Sequence, residues 1–188
     1  FFDFDGVIVD SVAVKTRAFE ILFKNHKELQ QKIVQYHHIN GGISRVDKIR
    51  HIHSQFLKKP LSGEELEIWS EKYSSLVVEE VIKADWITGA LQFLQQLPSD
   101  LLVFVISGTP QEELWYILKK KKIDHLFKEA LGSPTRKPAH IRTLFSKYKI
   151  SGKQGVFIGD ALCQWDCGGS DHPGFECCAN RFNRHRFA

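Results

Sequence analysis

The chain has 188 residues, 43% of them hydrophobic and 26% charged, with a formal net charge of +4. That is enough apolar material for one well-filled domain or a core with a smaller appended unit, and no apolar run approaches the roughly 18 residues that would span a membrane. The basic excess lies in Lys119 to Lys122 and in Arg181, Arg184 and Arg186. The lysine run falls at an expected helix end, where cations suit the dipole, so it reads as a solvated face and not as a nucleic-acid site. No secretory signal is seen, so the four cysteines, Cys163, Cys167, Cys177 and Cys178, are expected as reduced thiols of a cytoplasmic protein. A zinc site built from Cys163, Cys167, His172 and Cys177 matches no common ligand spacing.

The chain opens with an expected strand over residues 1–4 that runs into Asp3-Phe4-Asp5-Gly6. On a strand, Asp3 and Asp5 point to one face. Two like charges that close repel, and a cation or a shared proton relieves them. A hard cation such as Mg²⁺ suits such oxygen ligands. Gly6 lets the chain turn sharply where strand meets loop. Asp10 reads as a helix-start acid beside Ser11. Val14, Ala18, Ile21 and Leu22 then predict a helix over residues 11–27. Ser44 with Asp47 reads as a capping box, continued by Ile49, Ile52 and Phe56. Ser62 with Glu65 caps the next helix, whose stripe is Leu66, Trp69, Tyr73 and Leu76 or Val77. Thr88 is the expected start of a further helix.

From there the pattern alternates. Strands are expected at residues 102–107, 129–132 and 155–159, with helices opened by Thr109-Pro110 and by Pro138. Alternation of this kind implies a parallel α/β sheet, and the stretch from residue 11 to residue 83 is an all-helical interruption of it. Ser107-Gly108-Thr109 ends a strand and opens a helix, where a hydroxyl and free N–H groups form an anion cradle. Arg136-Lys137-Pro138 occupies the next strand-to-helix junction. Gly155 to Asp160 is an apolar strand ending in Gly-Asp.

The order Asp3-x-Asp5, Ser107, Lys137 and Gly159-Asp160, each at a strand's C-terminal end, resembles the four motifs of the haloacid dehalogenase superfamily. The resemblance implies a Rossmann-like parallel sheet core flanked by helices, formed by residues 1–13 and 84–188. It also implies an all-α cap over residues 14–83, inserted after the first strand. By the same resemblance Asp3 is the nucleophile, Asp5 the general acid and base, and Ser107, Gly108, Thr109 and Lys137 bind the phosphoryl group. Mg²⁺ is implied at Asp3, the main-chain carbonyl of Asp5 and Asp160. Gly41-Gly42-Ile43-Ser44-Arg45 resembles the cap specificity loop of β-phosphoglucomutases and phosphoglycolate phosphatases, with Arg45 as a substrate-binding candidate.

Two departures stand beside the resemblance. The acid usual four or five residues after the Gly-Asp aspartate is replaced by Gln164 and Trp165, with Asp166 one residue further on. The tail from Cys167 to Ala188 also lacks the expected Ala-rich helix and apolar strand. The expected activity is hydrolysis of a small phosphorylated metabolite by a monomer or weak homodimer, with no nucleic-acid or membrane partner. A sugar phosphomutase and a non-catalytic phosphate-binding homologue are the alternatives.

Overall fold

The computed structural model describes residues 1–160 and 176–179. Its strands are β1 (Phe104–Pro110), β2 (Glu129–Ser133), β3 (Val156–Gly159) and β4 (Glu176–Ala179). β1 pairs with β2 and β3 with β4, both in parallel. The N-terminal run joins the two pairs, since Phe2 bridges in parallel to Val105 on one side and to Ile158 on the other. Its ladder includes Phe2 N donating to Phe104 O at 2.8 Å and Asp3 N donating to Ile158 O at 2.9 Å. The spatial order is therefore β2, β1, the N-terminal run, β3, β4. This is the parallel α/β sheet that the alternating pattern implies, and the Rossmann-like core that the resemblance implies.

Parallel strands need crossovers, and helices supply them. α6 (Gln111–Lys120) links β1 to β2, and α7 (Lys137–Tyr148) links β2 to β3. Side chains alternate across the sheet with period two. Phe1 joins Phe104, Ile106 and Phe157 under the buried face of α7, where Ile141, Leu144 and Phe145 lie. Phe2 joins Val105 and the helices of the opposite face, including Leu94, Leu114 and Ile117. Each such fully buried side chain contributes about 1.5–3 kcal/mol of transfer free energy.

Four α-helices stand between the N-terminal run and residue 84: α1 (Val12–Leu22), α2 (Gln30–Ile39), α3 (Arg45–His51) and α4 (Gly63–Lys83). α3 continues into a π-helical turn, Ile52–Phe56. Phe19, Phe23, Ile33, Ile49, Ile52, Tyr73 and Val77 are buried among them. The chain enters and leaves this helical group side by side. Val9 bridges antiparallel to Trp86, Asp10 N donates to Asp85 O at 2.9 Å, and Ile87 N donates to Ile8 O at 3.0 Å.

Several local expectations change. The first helix ends at Leu22 instead of residue 27, because Phe23 turns inward, fully buried, and stacks on Trp69 at 5.1 Å. α2 is a separate helix with a weak apolar stripe. α5 (Ala90–Gln96) begins after Gly89, whose φ of +80° makes it the N-cap in place of Thr88. β1 runs on to Pro110, which caps α6 in place of Thr109. The tail does contribute a strand: β4, of sequence Glu-Cys-Cys-Ala, is held by its ladder with β3 and has no run of large apolar residues to announce it. Gln164, Asp166, Cys163, Cys167 and His172 lie outside the described residues. Among the lysines of the basic run, Lys121 does more than face solvent. Its Nζ donates to the carbonyls of Ile82 at 3.0 Å and Ala84 at 2.8 Å, at the C-terminal end of α4.

The capping box at Ser62 is formed as expected, with Glu65 N donating to Ser62 Oγ at 3.2 Å and Ser62 N donating to the Glu65 carboxylate at 2.8 Å. Ser62→Ala should cost about 1 kcal/mol. Urea unfolding tests this, with a lower midpoint and an unchanged slope as the expected result.

Candidate active site

The ladder of the N-terminal run stops at Asp3, at the carboxyl edge of the sheet, where open α/β sheets bind ligands. Asp3 Oδ1 accepts from Phe4 N at 2.8 Å, which fixes the carboxylate. Lys137 Nζ binds Asp3 Oδ2. Lys137 is the first residue of α7 and is 9% exposed. Arg136 caps that helix in extended backbone and Pro138 follows inside its first turn, so the β2–α7 junction aims the lysine stem along the sheet edge.

Asp5 is not on the strand face that Asp3 occupies. The chain has already bent: Ile8 N donates to Phe4 O at 2.9 Å and Gly6 N to Val9 O at 2.8 Å, so Asp5 sits in a loop. The loop turns its carboxylate toward α1. Ser11 Oγ donates to Asp5 Oδ1 at 2.6 Å, and Lys15 Nζ reaches Asp5 Oδ2 at 2.5 Å. Lys15 also donates to Thr109 Oγ1 at 2.9 Å. The Ser107 and Thr109 hydroxyls approach Asp5 Oδ2 at 3.3 and 3.4 Å. Burial pushes the Asp5 carboxyl up, but the Lys15 charge and the hydrogen bonds from Lys15 and Ser11 win and hold it below its usual range. Thr109 thus spends its hydroxyl on this cluster, which is why it does not cap α6. Ser11 likewise makes no side-chain bond to its own helix, and Asp10 is exposed.

Asp160 closes the third side. Its carboxylate lies against Gly6, where an added Cβ would stand 2.2 Å from Asp160 Oδ2. Gly6 has φ +74°, a backbone region that suits glycine. Burial first, and then the nearby charge of Asp3, raise the Asp160 carboxyl to about 6. The charge of Asp3 works against ionisation of Asp160 beside it, and a cation would relieve that opposition. Among the described residues no three His, Cys, Asp or Glu side chains converge on one point. The donors that the resemblance implies, the Asp3 and Asp160 carboxylates with the Asp5 carbonyl, are all oxygen, the chemistry that suits a hard ion such as Mg²⁺.

The helical group roofs this edge. Gly108 abuts the turn before α3, since an added Cβ would lie 3.4 Å from Ile43 O and 3.5 Å from Gly42 O. Beneath is a cavity of about 150 Å³, lined by Asp3, Asp5, Lys15, Arg45, Lys137 and Asp160 among others. A second cavity of about 420 Å³ shares Asp3, Gly108 and Lys137 and is also lined by Ser107. Every residue to which the resemblance assigns a catalytic, binding or metal role reaches one or both. Arg45 arrives already engaged: its guanidinium donates to Glu113 at 2.8 and 2.5 Å and to Ser74 at 2.5 Å. The sequence reading missed Ser11, Lys15, Glu113 and Lys48. A signal existed for the first two, because Ser11 and Lys15 are four apart on one helix face behind the Asp-x-Asp string.

The family described as haloacid dehalogenase-like hydrolase matches residues 1–178. The chain belongs to that family. Among solved structures, this haloacid dehalogenase-like hydrolase resembles a candidate phosphoglycolate phosphatase of Haemophilus somnus 129PT. Identity there is 21%, the TM-score is 0.62, and 85% of this chain and 75% of that one are covered. It resembles a candidate β-phosphoglucomutase of Bacteroides vulgatus at 17% identity and TM-score 0.67, over 85% of this chain and 66% of that one. A candidate hydrolase of the same superfamily from Bacillus subtilis, bound to magnesium, matches at 21% identity and TM-score 0.58, over 86% and 78%. No curated protein matches the chain.

Proposed function

We propose that the chain is a Mg²⁺-dependent phosphatase of a small phosphorylated metabolite. One observation carries the reading: Asp3, Asp5, Lys137 and Asp160, drawn from three separate segments, line a single cavity at the sheet's carboxyl edge. Asp3, held by Phe4 N on Oδ1 and by Lys137 Nζ on Oδ2, attacks phosphorus and forms an aspartyl phosphate as the ester P–O bond breaks. Asp5 relays a proton from the Lys15 ammonium, bound to its carboxylate at 2.5 Å, to the leaving oxygen, and later returns one taken from the water that cleaves the intermediate. Lys15 and Ser11 hold its carboxylate for that exchange. Ser107, the Gly108 N–H and Lys137 stabilise charge on the transferring oxygens. When bound, Mg²⁺ would be held by Asp3, the Asp5 carbonyl and Asp160, and it supplies charge neutralisation at the phosphoryl group.

In this reading residues 14–83 act as a cap on the core of residues 1–13 and 84–188. The paired crossings at Val9 and Trp86 give it a two-stranded hinge. Closure excludes water while the ester is cut.

Phosphate release from a panel of small phosphate esters tests the proposal. Release should require Mg²⁺, stop on addition of EDTA and return when Mg²⁺ is restored. Unchanged release in EDTA would contradict the metal assignment, and no release from any ester would contradict the phosphatase.

A further inference from the structure

The smaller cavity is lined by four long cationic side chains, Lys15, Arg45, Lys48 and Lys137. Three of them meet carboxylates: Lys15 on Asp5, Arg45 on Glu113 and Lys137 on Asp3. Lys48 does not. It projects from α3, is 3% exposed, and has no carboxylate within ion-pair reach among the described residues. Among the described residues its Nζ meets only Nδ1 of His37, at 3.2 Å, and lies 5.9 Å from the centre of the Phe19 ring. His37 itself stays neutral, because burial and then the Lys48 charge push it down to about 2.

A buried ammonium facing a cavity with only a neutral nitrogen beside it has lost its hydration without a matching gain. Burial accordingly lowers Lys48 to about 7. An anionic oxygen entering the cavity would supply what the protein withholds. Arg45, on the same helix, cannot fill that role while Glu113 and Ser74 occupy its guanidinium.

We propose that Lys48 is the specificity-determining residue of the site, and that it receives a carboxylate on the leaving part of the substrate. The preferred substrates are then small phosphate monoesters that carry a carboxylate a few bonds from the ester oxygen. This rests on the phosphatase reading above. The cavity volume agrees with a short acid: about 150 Å³ admits a ligand of roughly benzene's bulk and leaves no room at this end for a nucleoside. One unpaired ammonium also matches one carboxylate in charge.

Calorimetric binding to the Asp3→Asn protein with Mg²⁺ present tests the idea without turnover. The probes are 2-phosphoglycolate and ethyl phosphate, which differ in a carboxylate against a methyl group. Phosphoglycolate should bind about 10- to 100-fold more tightly, the range for one charged hydrogen bond. Adding Lys48→Gln should remove that advantage and leave ethyl phosphate unchanged, and Lys48→Arg should restore part of it. Lys48→Met serves as a second variant. Removing an unpaired buried charge should leave its melting temperature equal or higher, whereas a purely structural lysine would lower it. Equal binding of the two esters, binding of neither, or a Lys48→Gln loss shared by both would overturn the proposal. The phosphate-release panel fails or succeeds independently: discrimination without release would sink the phosphatase, and release without discrimination would sink Lys48.

Discussion

Asp3→Asn should abolish phosphate release, by about 10³-fold or more, while the circular dichroism spectrum is unchanged. The size of the loss follows from removing a nucleophile that splits one hard step into two, since variants of this kind lose most of the chemical acceleration. The retained fold follows from geometry. The carboxamide oxygen can still accept from Phe4 N, as Oδ1 does, while the amide nitrogen takes the place of the oxygen that met Lys137 Nζ. The volume of the side chain barely changes, so neither core cluster is disturbed. Lys137 does lose its counter-charge, and a lower melting temperature is expected from that alone. Steady-state phosphate release with a thermal melt checks both halves. Turnover near the unmodified rate would remove Asp3 from the chemistry.

Gly6→Ala should be strongly damaging although it replaces no polar side chain. Its φ of +74° strains any residue with a Cβ by about 1–2 kcal/mol. The larger effect is local. The new Cβ would stand 2.2 Å from Asp160 Oδ2 and 2.9 Å from Val12 Cγ2, so the carboxylate must move away from Asp3. The apparent Mg²⁺ requirement should rise by about tenfold or more, with activity partly recovered at high Mg²⁺. Gly89→Ala is the matched control. It has φ +80° with nothing within 4 Å of the added Cβ, so it carries the strain without the collision. Comparable Mg²⁺ titrations for the two variants would show that strain alone accounts for the loss.

The residues at strand tips were legible because each is specified by a short string. Asp3, Ser107, Lys137 and Asp160 are placed by a strand that ends and a helix or turn that begins, and these are local events. Even there, Asp5 differed. A two-residue spacing puts both acids on one face only while the chain stays extended, and the Phe4–Val9 turn ends that at Asp3. Lys15 was legible only as the residue four beyond Ser11, and Lys48 was not legible, for a different reason. Helical periodicity identifies the apolar stripe, but which polar neighbour of the stripe is carried over the sheet edge depends on how α1 and α3 pack. The pairing of Arg45 with Glu113 joins residues 68 apart and is likewise a product of packing. β4 escaped notice because its ladder with β3 holds it, not an apolar alternation.

Covalent capture is the most direct test of the central claim that Asp3 carries the phosphoryl group. The protein is mixed with a substrate found in the release panel, quenched in acid during turnover, digested and weighed by mass spectrometry. One added phosphoryl group on Asp3, absent from Asp3→Asn, is the expected result. A phosphoryl group on another residue, or steady turnover with none on the protein, would contradict the account.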